Sequence, residues 1–333
     1  MALSTKYSLV TYRGTAAVAI PCFSLDRWDD LRRAIGSVRA QSRAPEELII
    51  VVDHNAELLR RVGLEFPEAR VIANEEQQGS SGARNTALAH VTTDIVAFLD
   101  DDVIAATNWL QELLLGYDDP TVLGVGGAIT PRWDGARPRW FPPEFDWVIG
   151  CSYRGMPETE AVVRNFFGNN MSFRTEVLRR TEGFPSSLTR LGSRPTGGEE
   201  TELCIRLLQV EPSGVLLYRP TALVSHRVPL VRATMRYFRA RCFEEGRSKA
   251  LLRRHVGADM ALKAERRYAL RVLPRAVLEA LRAAIAHGTM ADVERASAIV
   301  VGFALTSVGY IMGTLFPRSQ PSPAAPPPTS RSR

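Results

Sequence analysis

Three consecutive aspartates, Asp100-Asp101-Asp102, follow directly on the apolar run DIVAFL at 94–99. Like charges this close repel one another, and the end of a strand needs no more than one carboxylate as a cap. A divalent cation accounts for them: Mg2+ or Mn2+ prefers hard oxygen ligands, commonly one or two carboxylates together with a substrate's phosphates. Such an ion neutralises a departing diphosphate as its bond breaks. A second acidic cluster, Glu199-Glu200-Thr201-Glu202, follows Gly197-Gly198. Acids in a first helical turn compensate the macrodipole, but one or two are enough for that. Three after a glycine hinge point to a site, and a carboxylate is the expected base for taking a proton from an acceptor hydroxyl. Gly79-Ser80-Ser81-Gly82-Ala83-Arg84-Asn85 opens a helix, where free N–H groups suit a phosphate and Arg84 can grip a base or a phosphate; the same loop also serves as an ordinary cap. His226 follows a strand and reads as a core histidine unless the fold carries it to the aspartates.

The elements that must position these residues alternate. Short apolar runs at Ala16–Ile20, Glu47–Val52, Arg70–Ala73 and 94–99 are separated by helical patterns at Arg27–Gln41 and Gly82–His90. ELIIVV at 47–52 is apolar on both faces, as a buried parallel strand should be. Strand and helix alternating at this spacing predict an α/β fold with a doubly wound, mostly parallel sheet. Ligands of such sheets bind beyond the carboxyl ends of the strands, and Pro21, Asp53 and the aspartate triplet all fall there. Asp53-His54-Asn55 can cap the helix that follows. Residues 131–195 are irregular and rich in Pro, Gly and aromatics, with an extended segment through Asn165–Phe173 and later strands near Gly214–Tyr218 and Ala222–Val224.

Composition narrows the function classes. Of 333 residues, 45% are hydrophobic and 23% charged, enough for one large core and too apolar for a disordered chain. The four cysteines lie far apart with no CxxC pair, which argues for isolated thiols and against a zinc or disulfide framework. No GxGxxG follows the first strand and no GxxxxGK[ST] loop is present. Between Val231 and Arg275, 13 Lys/Arg face 4 Asp/Glu; this +9 block on a chain of net +6 leaves the remainder mildly acidic and calls for an anionic partner surface. A nucleic-acid partner is not expected, because the block has only Tyr237, Phe238 and Phe243 for the aromatic interleaving that single-strand binders use. Ser297–Phe316 runs 20 residues without a charge, long enough to cross a bilayer or to lie in its surface, with the small-xxx-small pair Gly309 and Gly313. The first residues lack the apolar core of a signal peptide, so a membrane-associated enzyme with its catalytic domain on the cytoplasmic side of the plasma membrane is expected.

The order VAIPCF, LIIVVDHN, GSSGARNTAL, AFLDDD, GNNMSFRTEVL, EGFP and GGEETELCIR resembles the family 2 glycosyltransferases of the GT-A fold over roughly two thirds of the chain, from Ala16 to His226. The resemblance implies inverting transfer from a nucleoside-diphosphate sugar donor to a hydroxyl acceptor, possibly one linked to a lipid. By position it assigns Pro21 and Asp53 to the nucleoside pocket, Arg84 to base and phosphate, and Asp101 to the ribose. It places Asp100 and Asp102 at the two ends of the metal-binding DXD motif, with His226 beside metal or diphosphate. Asn169, Asn170 and Met171 fall where the family shapes the sugar and acceptor site, and Glu200 where its base carboxylate lies. Two departures stand out. Asp53-His54-Asn55-Ala56 replaces the usual Asp-Asp-Gly-Ser, leaving the base preference open; Glu199-Glu200 replaces Glu-Asp, so Glu199 or Glu202 is a candidate to share the base role. A QxxRW motif is absent, favouring transfer of one sugar over polymerisation. The expected organisation is a catalytic domain at 1–228, basic membrane-proximal helices at 229–295, a membrane helix at 296–316 and a Pro/Ser-rich tail at 317–333. A nucleotidyltransferase and a non-catalytic nucleotide-binding scaffold are the alternatives.

Overall fold

A computed structural model of the chain describes residues 12–185, 198–257 and 265–316. Gly197 of the glycine pair and the 317–333 tail lie outside the described residues. Strands β1 (Ala16–Cys22), β2 (Glu47–Val52), β3 (Arg70–Ala73) and β4 (Ile95–Leu99) form a parallel half-sheet in the order β3-β2-β1-β4. Helices α1 (Trp28–Arg39), α2 (Ala56–Glu65) and α3 (Ser80–His90) connect these strands. Asn55 caps α2 by accepting from the Leu58 amide at 3.0 Å. α1 turns Trp28, Leu31, Ala34, Ile35 and Val38 into the core, the face its 3.6-residue spacing prescribes.

The other half of the sheet is mixed. β8 (Asn170–Arg174) runs antiparallel to β4, β6 (Val122–Trp133) antiparallel to β8, and β9 (Val215–Val228) parallel to β6. β7 (Ala161–Val163) and β5 (Val103–Ala105) pair with opposite ends of β9. The two strands expected at 214–218 and 222–224 are thus one strand of 14 residues. Pro220 explains the apparent break: it cannot donate to the ladder, and the β6–β9 register shifts just there, between Gly127 and Ile129.

Asn170 ties this half together. Its Oδ1 accepts from Trp109 Nε1 at 2.8 Å, on the short helix α4 (Trp109–Leu115), and its Nδ2 donates to the carbonyls of Ala128 and Ala222, both at 2.9 Å. One side chain thereby links β8, β6, β9 and α4.

Two further short helices, α5 (Thr175–Arg180) and α6 (Glu199–Val210), precede the C-terminal group α7 (Met235–Val256), α8 (Leu273–His287) and α9 (Met290–Leu315). This group shares the main core: Phe238 and Cys242 of α7, Ala276 of α8, and Ala298 and Ile299 of α9 are buried with Phe141 and Phe145. Arg295 reaches the fully buried Glu144 at 3.1 Å. α7 and α9 lie side by side and run in the same direction. A Cβ on Gly309 would stand 2.0 Å from the Phe243 carbonyl oxygen, and one on Gly246 would stand 2.0 Å from that of Thr306. The small-xxx-small pattern therefore serves a charged neighbour helix of the same chain. Farther along, Arg253 donates to Tyr310 Oη at 2.8 Å and Arg254 to the Thr314 carbonyl at 3.0 Å. The opposite side of α9 exposes Val300, Phe303, Val308, Ile311 and Leu315.

Replacing Asn170 with alanine removes three hydrogen bonds and strands the buried Trp109 Nε1 and Ala222 carbonyl, each costing about 1–3 kcal/mol, together with the half-buried Ala128 carbonyl. Asn170→Ala should therefore lower the free energy of unfolding by about 3 kcal/mol or more, seen as a fall in urea midpoint at constant slope. A midpoint equal to that of the unaltered protein would contradict the role given to this residue.

Candidate active site

The loop ends that follow β1, β2 and β4 form one rim. Just past β2, Asp53 Oδ1 accepts from Asn74 Nδ2 at 2.6 Å and faces His54 Nδ1 at 2.8 Å, while Oδ2 accepts from the Gly79 amide at 2.9 Å. Asp53 thus pins the glycine/serine loop against β2. Gly79 (φ 124°) is in a region that favours glycine, and a Cβ on Gly82 would stand 1.9 Å from the Gln77 carbonyl oxygen, so α3 starts where it does only because both lack side chains.

Arg84, in the next turn of α3, is almost fully buried. Its Nη2 donates to Asp100 Oδ1 at 3.0 Å and to the Gly168 carbonyl at 3.1 Å, and its Nη1 lies 3.6 Å from Glu199 Oε1. Burial works against its charge, but Asp100, Glu199 and Glu200 outweigh it and hold the guanidinium's pKa above its ordinary value.

The triplet is split by its partners. Asp100, one third exposed, turns to Arg84. Asp101 Oδ1 accepts from Arg27 Nη1 at 2.7 Å, and its buried Oδ2 has no partner among the described residues. Burial pushes the Asp101 carboxyl up to about 7 against the pull of Arg27, with Asp102 adding to the rise. Asp102 lies between Arg27, 3.2 Å from Oδ2, and His226 Nε2, 3.4 Å from Oδ1. Burial opposes its charge too, yet His226 and Arg27 prevail and keep it well below the usual carboxylate range. β9 delivers His226 to the triplet because its register sets His226 opposite Val103, the residue after Asp102. Arg232 Nη1 stands 3.4 Å from the same Nε2, and Cys151 Sγ lies 3.7 Å from Nδ1.

Of the three expected metal ligands, the structure thus brings Asp102 and His226 together and directs Asp100 elsewhere. No ready-made group of three His, Cys, Asp or Glu ligands occurs among the described residues. One carboxylate beside one imidazole suits a cation that draws its remaining ligands from phosphate oxygens.

The acidic start of α6 is sorted in the same way. Glu199 Oε1 accepts from Ser80 Oγ at 3.1 Å and faces Arg84. Glu202 takes Arg206 through both oxygens, at 3.1 and 2.9 Å, and Arg206 also donates to the carbonyls of Thr181 and Gly183. Glu200 alone has no side-chain partner among the described residues; burial, then Glu199, pushes its half-buried carboxyl up to about 8. Asn169 donates to the Gly150 carbonyl at 3.1 Å. Asn170 and Met171, expected at the sugar, belong to the framework instead: the amide of the first is consumed by protein groups, and the second is fully buried in the core. Sequence reasoning missed Arg27, Asn74 and Arg232. Only the proximity of Arg27 to Pro21 offered a signal, since a lone arginine on an amphipathic helix ordinarily faces water.

A curled mixed sheet with an acidic triplet at the end of its fourth strand defines the GT-A glycosyltransferase class. A mannosyltransferase from Pyrobaculum calidifontis, solved with GDP-Man and Mn2+, superposes with a TM-score of 0.56 at 20% identity, covering 92% of this chain and 87% of that one. The Glycosyl transferase family 2 profile matches residues 17–181. A glucosyl-dolichyl phosphate glucuronosyltransferase of Haloferax volcanii is 30% identical over 305 residues, which is 90% of this chain and 96% of the relative. A pre-mycofactocin glycosyltransferase of Mycobacterium tuberculosis is 32% identical over 160 residues, 48% of this chain and 32% of that protein. The chain belongs to glycosyl transferase family 2 and is a glycosyltransferase. The nucleotidyltransferase and scaffold alternatives fall away with that membership.

Breaking a buried ion pair by removing one partner costs about 3–5 kcal/mol. Arg84→Met, which leaves Asp100 and Glu199 without their shared cation, should lower stability by about that much, measured by urea unfolding. A loss below about 1 kcal/mol would show that Arg84 is not the clamp its contacts describe.

Proposed function

We propose that the chain is an inverting glycosyltransferase that moves one sugar from a nucleoside-diphosphate sugar to a hydroxyl of a lipid-linked acceptor at a membrane. The observation that carries this reading is Glu200: the one carboxylate of the α6 cluster without a side-chain partner among the described residues, joined to the aspartate rim through Glu199 and Arg84. In the proposed reaction Glu200 takes the acceptor hydroxyl's proton as that oxygen displaces the diphosphate at the anomeric carbon. Pro21, Asp53 and Arg84 form the nucleoside and phosphate side, Asp101 faces the ribose, and Asn169 borders the sugar. Asp102 and His226 would hold the divalent cation, Mg2+ or Mn2+, which supplies charge neutralisation to the departing diphosphate. The name of the Haloferax volcanii relative, a glucosyl-dolichyl phosphate glucuronosyltransferase, supports a lipid-linked acceptor here.

For the membrane, α9 is long and apolar enough to cross a bilayer by length and composition. Its packing favours a different arrangement. A spanning α9 would carry the charged α7 segment packed on it, with Arg247, Arg253 and Arg254, toward the bilayer, where an arginine at mid-depth costs about 2.5–3.5 kcal/mol on insertion scales. With α7 docked, α9 lies along the membrane face, its exposed apolar stripe toward lipid and exposed arginines of 236–275, such as Arg239, Arg267 and Arg271, available to anionic headgroups on the cytoplasmic side.

Two measurements test these readings. A base must be deprotonated, so with Glu200 raised to about 8 the kcat/KM profile should climb with pH through pH 7–8, well above the ordinary carboxylate range. Glu200→Gln should remove that limb and lower turnover by about 10²–10⁴, whereas Glu202→Gln should keep turnover and lose stability. The opposite pattern would give the base role to Glu202. For topology, a tag at the C-terminus should be cut by protease on the same side of sealed vesicles as the catalytic domain; protection from the protease would mean that α9 spans.

A further inference from the structure

Arg27 is the one cation among the described residues that touches both Asp101 and Asp102. It ends a single 3-10 turn, Leu25–Arg27, in which Ser24 Oγ accepts from the Asp26 amide at 3.1 Å, so its backbone is fixed just beyond β1. The Phe23 ring stacks on its guanidinium at 5.0 Å. From there Nη1 reaches Asp101 Oδ1 at 2.7 Å and Asp102 Oδ2 at 3.2 Å. The side chain is 28% exposed while those of the two aspartates are 4% and 7% exposed, so Arg27 covers the pair from the solvent side. Two adjacent buried carboxylates need a positive partner if both are to ionise. Asp102 has both oxygens taken, one by Arg27 and the other by His226. A divalent cation approaching Asp102 therefore meets a guanidinium already in contact with the oxygen it needs.

We propose that Arg27 is a built-in counter-charge. It neutralises Asp101 and Asp102 while no donor is bound, and it yields Asp102 to the divalent cation that arrives with the donor. Once displaced, its fork of N–H donors stays beside the phosphates that accompany the cation, which makes it a positioning residue for the diphosphate. The proposal rests on the reading of Asp102 and His226 as the cation's ligands. It adds that cation binding in this chain is a substitution of one positive charge for another, so that the ion alone binds weakly and the ion with donor binds well.

The test uses the full chain and Mn2+ alone, with free Mn2+ followed by electron paramagnetic resonance. Removing the competitor in Arg27→Gln should tighten Mn2+ binding by about tenfold, because the ion no longer has to displace a guanidinium from the Asp102 oxygen it needs. The metal-free variant should also melt below the unaltered protein and regain the difference on adding Mn2+. Arg27→Lys, which keeps the charge, should bind Mn2+ as the unaltered protein does, and it serves as the folded reference if the glutamine variant is unstable. Mn2+ affinity in Arg27→Gln equal to or weaker than that of the unaltered protein would overturn the proposal. Asp102→Ala separates the two layers. Lost Mn2+ binding there, with no gain in Arg27→Gln, defeats the counter-charge alone; retained Mn2+ binding in Asp102→Ala defeats the cation site and the counter-charge together.

Discussion

The site depends on one buried guanidinium. Arg84 leaves the second turn of α3 and joins three stretches distant in sequence: the triplet at Asp100, the carbonyl of Gly168 before β8, and Glu199 at the start of α6. A cation almost without solvent contact is stable only if surrounded by acceptors, and here each acceptor sits at the head of a segment that carries proposed site residues. The requirement works in both directions. Arg84 needs the acids, and because Asp100 and Glu199 need Arg84, the β4 end and the α6 start are drawn to one place. Gly168 belongs to the same constraint, since a Cβ there would stand 3.1 Å from Arg84 Nη2.

The two acidic clusters are then resolved by the same rule. Each holds three carboxylates, and in each the partners differ in kind. At α6 one acid faces Arg84, one is clamped by Arg206, and one is left with a raised pKa. At the triplet one acid faces Arg84, one is paired with Arg27 and raised by burial, and one is shared by Arg27 and His226 and lowered. Clusters that look uniform as letters are thus graded in basicity, which is the arrangement acid–base and cation chemistry at neutral pH calls for.

What was legible in the sequence follows from how local each cause is. β1 to β4 and α1 to α3 were readable because continuous apolar runs and 3.6-residue spacing state burial directly. Pro21, Asp53 and the triplet were readable as rim residues because strand ends define the rim, and Arg84 because it sits at the start of a helix opened by a glycine/serine loop. The role of Asn170 was not readable, since an asparagine that binds a ligand and one that knits β6, β8 and β9 together are the same letter; only the strand order decides. The continuity of β9 was hidden by Pro220, whose local signal is a break although the neighbouring strand bridges it. Arg27 was hidden because its partners are 74 and 75 residues away. The close approach of α9 was readable from Gly309 and Gly313, but its partner was not: an apolar 20-mer suggests lipid, whereas the glycines face α7.

The polar contacts of the C-terminal helices run back to the site. Arg241 of α7 donates to Glu245 at 2.8 Å, and Lys249 lies between Glu245 and Glu265, which takes Arg164 beyond β7 through both oxygens. Arg241 is close enough to Glu200 for their charges to interact. α7 is therefore committed on three sides: its buried charges to the catalytic domain, Phe238 and Cys242 to the core, and its glycine face to α9. The helix that offers an apolar stripe outward is thus attached, through α7, to the wall beside Glu200. If that stripe sets the depth at which the chain rests on a bilayer, it also sets the height of Glu200 above the lipid. On the proposed function, an acceptor hydroxyl at the membrane would then be selected by reach as much as by contacts.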